Sequence, residues 1–359
     1  MESTPRAVWI DGGSPNSARV LALTTVNRAA GKNQMPVLSL YNIPGRDCSG
    51  FSAGGATDLA SYEAWINGVA AGIGDKPAIV ILEPDSLGLL PQTNCGSTTF
   101  TDADRFAELN YAVDRLGALG ATRVYLDGTH SAWLNTGDLA QRLVQAGVQR
   151  AAGFFLNVSN YQYASNEAFY GTWISDCITY ATEVSPGNYA GCPNQYWDGG
   201  PATNWTGTAL SPYQLWQDSA PFSGNAADLS WNTVGIDSRW ASLLGTTQPT
   251  THFVVDTSRD GNGPWQFAPK YPSSGIAQDW CNPPGRGVGT RPTASTGNPL
   301  LDAFLWVKVP GESDGSCNRS VAGSTTDPEW GGIVDPAAGV WFPQQALQLA
   351  QLANPALTQ

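Results

Sequence analysis

Charged side chains are scarce in this 359-residue chain, where Asp, Glu, Lys and Arg together make up 13% of the residues. That share is about half of what an average globular protein carries. The formal net charge is −12, which would repel phosphate backbones, so we expect no nucleic-acid partner. Histidine is limited to His130 and His252, which argues against a metal site. We expect neither a metal ion nor a cofactor.

Long apolar runs are also missing, because no stretch approaches the ~18 consecutive apolar residues of a membrane span. The N-terminus, MESTPRAVW, lacks the basic start and apolar run of a signal peptide. No cysteine lies in a CxxC pattern, yet the count of six is even, which favours disulfides and an oxidising, extracellular compartment. Six cysteines allow fifteen connectivities, and proximity favours pairing of Cys177 with Cys192. The cysteines are Cys48, Cys95, Cys177, Cys192, Cys281 and Cys317.

Short apolar runs, in contrast, recur along the chain. They are β-branched or aromatic and too continuous for a sheet with one wet face, so they predict strands that are buried on both sides. The runs lie at 7–10, 36–41, 78–82, 123–126, 153–158, 252–255 and 303–309. Segments with helical spacing lie between them, and strand–helix alternation predicts a parallel sheet. Because no GxGxxG follows the first strand, we expect an α/β fold with a single (β/α) barrel, a distorted seven-stranded one.

Residues 162–250 interrupt this alternation. They are rich in Tyr, Trp, Asn, Gly and Pro, and they predict a long irregular insertion that starts with a helix near 165–182. An insertion of this length is too long for an ordinary loop and is typical of a functional segment. We expect one catalytic domain, 1–359, with the insertion inside it.

Acidic residues follow most of the predicted strands directly. The carboxyl ends of barrel strands converge, so these side chains should meet. Gathered carboxylates force their pKa values apart, which leaves one protonated and others ionised. A protonated acid facing a carboxylate is the machinery of glycoside hydrolysis. We favour function over helix capping for Asp47, Asp85, Asp127 and Asp314, and capping for Asp58, Asp102, Asp104 and Asp138.

Six ordered motifs resemble glycoside hydrolase family six, the endoglucanases and cellobiohydrolases that break down cellulose. They are YNIPGRDCSGFSAGGA, ILEPDSLG, YLDGTHSAW, NVSNY, DWCNPPGRGVGTRP and DAFLWVKVPGESDG, and the resemblance runs from about Trp9 to Trp341. It implies an inverting β-1,4-glucanase that uses water and forms no covalent glycosyl intermediate. Inversion requires an acid and a base that stand ~6.5–9.5 Å apart.

The resemblance implies a catalytic role at four positions. Asp85 in ILEPDSLG matches the proton donor. Asp47 in GRDC matches the residue that raises the pKa of that acid and relays protons through water. Asp314 in GESDG matches the candidate base, and Tyr41 matches the tyrosine that favours a distorted sugar ring.

The resemblance also implies a substrate-binding set. Trp9 and Trp280 match aromatic platforms on the glycone side, and Trp133 matches one on the leaving-group side. Asp127, Lys308 and Glu312 match sugar-binding and charge-tuning positions, and we add His130 and Asn160 at the barrel mouth. The family disulfides pair Cys48 with Cys95 and Cys281 with Cys317, which leaves Cys177 with Cys192. The expected partner is a β-1,4-glucan chain, bound by a secreted monomer.

Three alternatives remain open at this point. Tunnel-forming cellobiohydrolases carry a long loop where only Gly315 and Ser316 separate Asp314 from Cys317. The short connection favours an open cleft and endo action, although the insertion could roof the cleft and make the enzyme exo-acting. A serine esterase is suggested by GFSAG around Ser52, which follows the turn-like stretch PGRDC, and by GESDG around Ser313, which has no downstream histidine. A non-catalytic carbohydrate-binding protein would explain the 14 Trp but not the converging acids.

Overall fold

A computed structural model describes residues 1, 3–195, 221, 233–265 and 278–357 of the chain. Seven strands form one sheet in which every neighbouring pair is parallel and follows chain order. The predicted parallel sheet is therefore confirmed. The strands are β1 (Val8–Ile10), β2 (Val37–Leu40), β3 (Ala78–Leu82), β4 (Thr122–Asp127), β5 (Gly153–Leu156), β6 (His252–Asp256) and β7 (Leu301–Leu305).

The described helices lie around the outside of this sheet. They are α1 (Pro15–Ala30), α2 (Leu59–Ile73), α3 (Asp102–Gly117), α4 (Thr136–Gln145), α5 (Ala164–Thr179), α6 (Val234–Leu244) and α7 (Pro343–Gln351). Their starts are encoded locally. Asp58 caps α2 by accepting from the backbone N–H of Ser61, and Thr101 with Asp104 forms a capping box on α3. Satisfying the free N–H groups of the first turn in this way stabilises each helix.

The sheet curls into an incomplete barrel with two apolar layers. Leu38, Val80 and Leu126 pack outward against the helices, whereas Ile81, Tyr125 and Phe155 fill the interior. Both faces of each strand are therefore buried, which explains the continuous apolar runs in the sequence. The distorted seven-stranded (β/α) barrel is confirmed.

The edges of the curled sheet, β1 and β7, approach each other without forming a ladder. The backbone N–H of Ala7 donates to the carbonyl oxygen of Trp306 at 2.9 Å, and the indole Nε1 of Trp9 donates to the carbonyl oxygen of Val307 at 2.8 Å. Strand β7 ends at Leu305, so the predicted strand at 303–309 is placed too late in the chain. The chain leaves the sheet there because the backbone N–H groups of Val307 and Lys308 turn to the side chain of Asp256.

Both described ends of the predicted insertion are helical. Helix α5 starts close to the predicted position and buries Tyr170, Trp173 and Ile174, while α6 buries Trp240. These ends belong to the ring of barrel helices, so the irregular insertion is shorter than 162–250. Residues 196–220 and 222–232, with Trp197, Trp205, Trp216 and Trp231, lie outside the described residues.

Three disulfides join Cys48 to Cys95, Cys177 to Cys192 and Cys281 to Cys317. The first links the loops that follow β2 and β3, and the second ties the end of α5 to the chain just beyond it. All three expected pairings are confirmed. No helix among the described residues is both long and apolar enough to cross a bilayer.

Replacing Cys177 and Cys192 together with Ala should lower the free energy of unfolding by about 3 kcal/mol. The bridge closes a 15-residue loop, and opening such a loop restores that much chain entropy to the unfolded state. Urea unfolding measures the change. Ile178→Val in the same helix is the control, since it trims packing and leaves the bridge intact, at a cost of ~0.5–1.5 kcal/mol. A double variant no less stable than this control would contradict the prediction.

Candidate active site

A cleft of about 590 Å³ opens at the carboxyl ends of the strands. It brings together ten of the twelve predicted catalytic and substrate-binding residues: Trp9, Tyr41, Asp47, Asp85, His130, Trp133, Asn160, Trp280, Lys308 and Asp314. Asp127 and Glu312 do not line it. Strand ends that lie far apart in the sequence thus supply one continuous surface, as the barrel topology requires.

The backbone is strained around this cleft. Positive φ angles, which cost a side chain with a Cβ atom ~1–3 kcal/mol, occur in the loops after β2, β3, β4 and β5. The non-glycine residues concerned are Asp47, Cys48, Glu83, Asp85, Thr129, Asn157 and Ser159. Such angles persist only where surrounding contacts hold them, and their grouping at one edge of the sheet marks this edge as a functional site.

Asp85 lies on the cleft wall directly after β3, with φ 67°. Burial raises the pKa of its carboxyl well above the usual range, and the charges of Asp127 and Asp47 raise it further, against the opposing effect of Lys308. A raised pKa favours the protonated form of this carboxyl. The carboxyl can therefore donate that proton to a group bound in the cleft.

Asp47 lies on the same wall, in the loop after β2. Its Oδ2 accepts from the backbone N–H of Ser52 at 2.6 Å, and burial raises its pKa while this hydrogen bond and the charge of Arg46 oppose the shift. The Arg46 guanidinium lies 4.4 Å from the centre of the Tyr41 ring and donates from Nε to the carbonyl oxygen of Ser52 at 2.7 Å. Arg46 therefore holds Tyr41 and the Asp47 loop in one arrangement.

Asp314 also lines the cleft and is held by several donors. Its Oδ2 accepts from Arg259 Nη1 at 3.0 Å, Tyr161 Oη at 2.9 Å and the backbone N–H of Asn282 at 2.9 Å. Its Oδ1 accepts from Arg259 at 2.9 Å and lies 3.7 Å from Lys308 Nζ. A carboxylate offers about four lone-pair positions, so the capacity left for accepting a proton is on Oδ1.

Asp127 is buried behind the cleft wall, and its carboxylate binds backbone. Oδ2 accepts from the N–H groups of Leu87 at 2.9 Å and Gly88 at 3.3 Å, and Oδ1 accepts from that of Thr129 at 2.9 Å. The residue is 1% exposed. Its negative charge is the second cause of the raised pKa of Asp85, so it acts on the cleft through position and charge.

Two buried glutamates also accept hydrogen bonds from the backbone of neighbouring loops. Glu83 Oε2 accepts from the backbone N–H groups of Asn42 at 2.8 Å and Ile43 at 2.9 Å. Glu167 on α5 accepts from Ser131, whose backbone N–H lies at 3.0 Å and whose Oγ lies at 2.6 Å. Each carboxylate thus fixes a loop that follows a different strand.

Asp256, at the end of β6, completes this set of buried acids. It is 2% exposed, and its Oδ2 accepts from the backbone N–H of Lys308 at 3.0 Å and that of Ser159 at 3.3 Å. It thereby joins the loop after β5 to the segment after β7. The predicted convergence of acids at the strand ends is real, but several of them bind backbone rather than face the cleft.

Trp133 and His130 form one end of the cleft. Their ring centres lie 5.5 Å apart, and burial lowers the pKa of His130 to about 3. The neutral imidazole accepts at Nδ1 from the backbone N–H of Ala132 at 3.2 Å, which leaves the proton on Nε2. The indole of Trp133 lies over Gly88, where a Cβ atom would come within 2.6 Å of the ring.

Other aromatic rings line the rest of the cleft. Trp9 meets Tyr41 edge to face with ring centres 5.6 Å apart, and its indole N–H is used by the backbone of Val307. Trp280 is 40% exposed and tilts against Phe51, with ring centres 6.1 Å apart. Flat exposed rings of this size suit stacking on pyranose faces.

Tyr161, Arg259 and Asn282 are site residues that the sequence did not single out. Tyr161 lies in the NVSNY motif and Arg259 three residues after β6, so attention to donors as well as acids at strand ends would have found both. Asn282 exchanges two hydrogen bonds with Asp314, since the Asp314 backbone N–H donates to Asn282 Oδ1 at 2.8 Å. Position alone gives no signal for Asn282.

The geometry also bears on two other kinds of site, a serine nucleophile and a metal site. Ser313 is fully buried, and its Oγ donates to the carbonyl oxygen of Pro336 at 2.8 Å, so it is no esterase nucleophile. Among the described residues, the one grouping of acids or cysteines with metal-like spacing is Cys317, Asp327 and Asp335. Cys317 is in a disulfide and Asp327 is paired with Arg319, so these ligand atoms are engaged.

Comparisons with known proteins find relatives over nearly the whole chain. The chain matches the family described as Glycosyl hydrolases family 6 over residues 1–353. It is 34% identical to Endoglucanase A of Cellulomonas fimi over 352 residues, which is 98% of this chain and 55% of that protein. It is 30% identical to 1,4-beta-D-glucan cellobiohydrolase C of Emericella nidulans over 371 residues, which is 98% of this chain and 69% of that protein. The chain thus spans about half the length of the first of these relatives.

A solved structure is similar over nearly the whole chain. The endoglucanase Cel6 from Mycobacterium tuberculosis, in complex with methyl-cellobiosyl-4-deoxy-4-thio-β-D-cellobioside, superposes with a TM-score of 0.66 at 31% identity. The match covers 97% of this chain and 87% of that one. Fold and sequence therefore point to the same family.

The buried carboxyl of Glu167 should make the protein less stable as the pH rises from about 5 to 8. Burial raises its pKa to about 8, against about 4.3 in an unfolded chain. The folded state therefore binds a proton that the unfolded state has lost over this interval, and stability falls by up to ~1.4 kcal/mol per pH unit. Glu167→Gln should flatten this dependence in urea unfolding at several pH values.

The exposed Glu183 provides the matched control for this measurement. Glu183→Gln should follow the wild-type slope, because a solvated side chain has similar surroundings in both states. Parallel pH curves for wild type and Glu167→Gln would contradict the assignment.

Proposed function

The chain belongs to family 6 of the glycosyl hydrolases, and from this membership we propose that it is a secreted, inverting β-1,4-glucanase acting within chains of cellulose and related glucans. The single observation that carries the proposal is the partly buried carboxyl of Asp85 on the cleft wall. Its raised pKa keeps a proton available where a glycosidic oxygen would lie. Hydrolysis requires such a general acid.

In this proposal the reaction proceeds in one displacement. Asp85 Oδ protonates the leaving-group oxygen while a water molecule attacks the anomeric carbon from the opposite face. Asp47 lines the cleft beside Asp85, where its charge raises the pKa of that acid and its carboxyl passes a proton from the attacking water to solvent. Tyr41 crowds the sugar ring at the scissile bond and favours a distorted conformation.

Asp314 is the candidate base, and its hydrogen bonds limit how it acts. Oδ2 is occupied by Arg259, Tyr161 and Asn282, so the proton from water would reach Oδ1. This oxygen already accepts from Arg259 at 2.9 Å and lies 3.7 Å from Lys308 Nζ, so little of its accepting capacity remains for water. We therefore assign the larger share of proton removal to the route through Asp47.

The aromatic rings support a linear glucan as substrate. Trp9, Trp133 and Trp280 line the cleft and offer stacking faces for successive glucose units. Asn160, Lys308 and neutral His130 supply hydrogen bonds to hydroxyl groups. The Cel6 relative from Mycobacterium tuberculosis holds a thio-linked cello-oligosaccharide analogue, which supports the same ligand class here. One chain supplies all these groups, which is consistent with a monomer.

Two features favour action within chains. The link from Asp314 to Cys317 is short, and Trp280 is 40% exposed, so the part of the chain that the structure describes leaves this side of the cleft uncovered. An open cleft admits a chain at any point along its length. Exo action is the second candidate because the chain also resembles a cellobiohydrolase at 30% identity. The three disulfides favour an extracellular location.

Viscometry on carboxymethyl cellulose tests the proposal directly. The wild type should lower viscosity early, before many reducing ends appear, because a few internal cuts shorten long chains. Asp85→Ala should lose about 10²–10⁴-fold in rate, the usual contribution of a general acid. Asp75→Ala is the control, since that side chain is exposed and lies before β3, at the opposite end of the strand from Asp85.

Three results would contradict parts of the proposal. An Asp85→Ala variant with wild-type activity would remove the assigned acid. Reducing ends released with little change in viscosity would favour exo action, and inactivity on every β-1,4-glucan would leave a binding protein.

Gly88→Ala tests whether Trp133 is a sugar platform. The added Cβ would lie 2.6 Å from Cζ2 of Trp133 and 3.0 Å from Cγ2 of Thr129, so the indole must move. We expect the Kd for cellotetraose to rise about three- to tenfold, which corresponds to ~0.7–1.4 kcal/mol, a typical stacking contribution.

Calorimetric titration in the Asp85→Ala background avoids turnover during this measurement. Gly117→Ala is the matched control, because the nearest atom to its added Cβ, the carbonyl oxygen of Arg150, lies 3.8 Å away. Equal affinities for the two glycine variants would exclude Trp133 from the binding surface.

A further inference from the structure

Arg105 on α3 is 1% exposed, and its guanidinium faces the backs of two cleft loops. Nη1 donates to the carbonyl oxygens of Ser86 at 2.8 Å and Leu89 at 3.2 Å. Nη2 donates to that of Pro44 at 2.9 Å. Ser86 directly follows Asp85, and Pro44 precedes Asp47 by three residues. One rigid fork therefore binds both loops that carry the proposed acid and its partner.

Glu83 joins the same two loops by accepting hydrogen bonds, whereas Arg105 donates them. It lies two residues before Asp85, and its Oε2 accepts from the backbone N–H groups of Asn42 and Ile43 in the other loop. Arg105 thus satisfies carbonyl oxygens and Glu83 satisfies N–H groups. The disulfide between Cys48 and Cys95 limits how far these loops can separate, but a single covalent link leaves their relative orientation free.

The orientation needs such support because the backbone is strained on both sides. Asp47 has φ 59°, Glu83 has φ 54° and Asp85 has φ 67°, all in the left-handed region that residues with a Cβ avoid. Strained angles revert when the contacts that hold them are removed. The buried fork of Arg105 supplies three such contacts at the point where the two loops meet.

Two buried glutamates lie close to the guanidinium charge of Arg105. Glu108 Oε2 lies 3.5 Å from its Nε, and both Glu108 and Glu83 have raised pKa values because they are buried, at about 8 and about 7. The guanidinium charge opposes both shifts. A lysine at this position would keep the charge but could not bind three carbonyl oxygens in the same plane.

We propose that Arg105 is a positioning residue for the hydrolysis proposed above, and that its hydrogen bonds to the carbonyl oxygens of Pro44, Ser86 and Leu89 set the relative placement of Asp47 and Asp85. The inference rests on that proposed function. This role differs from a general structural one, because losing Arg105 should impair proton transfer rather than only lower stability. Trp9 and Trp280 lie on other segments, so glucan binding should persist when this placement is lost.

Arg105→Lys is the informative substitution, with Arg105→Met as the stronger one. We expect kcat to fall about 10- to 100-fold in Arg105→Lys, because displacement of a reacting group by about 1 Å can cost 10²-fold. KM should stay within about threefold. The alkaline limb of the kcat profile should move to lower pH, because a larger separation weakens the effect of Asp47 on the pKa of Asp85.

Leu109→Ala provides the matched control on the same helix. Leu109 is fully buried and its side chain binds neither loop through a hydrogen bond, so the variant loses stability by leaving a cavity. Its kcat per folded molecule and its pH profile should equal those of the wild type when both are assayed well below their melting temperatures. A structural role alone would move Tm in both variants and shift neither profile.

A second pair of variants, at Glu83, tests the connection between the same two loops in case the Arg105 variants fail to fold. Glu83→Gln keeps an oxygen that can accept from Asn42 and Ile43, and it should retain most of kcat. Glu83→Leu removes that acceptor and should reproduce the loss of kcat and the shifted profile.

The outcomes separate this inference from the proposed function. A folded Arg105→Lys with wild-type kcat and pH profile overturns the inference while hydrolysis stands, as does a Leu109→Ala variant with the same kinetic defect. Inactivity of the wild type on all β-glucans would instead contradict the function. The carboxyl titration of Asp85, followed by carbon NMR in wild type and Arg105→Lys, would then still decide the matter, because an unchanged titration overturns the positioning role.

Discussion

The cleft depends on buried carboxylates that accept hydrogen bonds from the backbone of neighbouring loops. Where parallel strands end, the chain turns sharply, and its N–H groups lose both the ladder and access to water. Unpaired groups of this kind are costly. Asp127 at the end of β4, Asp256 at the end of β6 and Glu83 after β3 provide the missing acceptors, each for an adjacent loop. The positive φ angles at the cleft are tolerated because these contacts hold them.

The acids of this protein therefore divide into two groups by where their lone pairs point. The carboxylates of Asp127 and Asp256 accept hydrogen bonds from the main chain, so these residues hold loops in place and supply negative charge. Asp85 has its carboxyl on the cleft wall and feels that charge as a raised pKa. The same residue type thus holds the loops in place and carries out the proton transfer proposed for Asp85. Asp314 lies between the groups, since it faces the cleft but is largely occupied by Arg259, Tyr161 and Asn282.

Much of this arrangement could be predicted from the sequence. Continuous β-branched runs located the strands because both faces of the sheet are buried. Asp85 was found because it follows a strand closely, and Asp47 because it lies in the loop after the preceding strand. The pattern could not tell a carboxylate that faces the cleft from one that binds backbone, as with Asp127, because both follow a strand. It also missed Arg105 and Asn282, whose partners lie in distant loops and become neighbours only after folding. Helix α5, in contrast, was predicted close to its observed position, and Tyr170, Trp173 and Ile174 form part of its buried side.

The incomplete closure of the barrel has a mechanical consequence. Neighbouring strands elsewhere share a register of several residue pairs, whereas β1 and β7 are joined by the N–H of Ala7 and, through a side chain, by the indole of Trp9. Elastic deformation concentrates where the fewest bonds resist it, so the softest motion of this shell is a hinge-like parting along that edge. Trp9 both connects the two strands at this edge and lines the cleft. A glucan that stacks on Trp9 as proposed above would therefore press on a side chain that also ties this edge of the sheet.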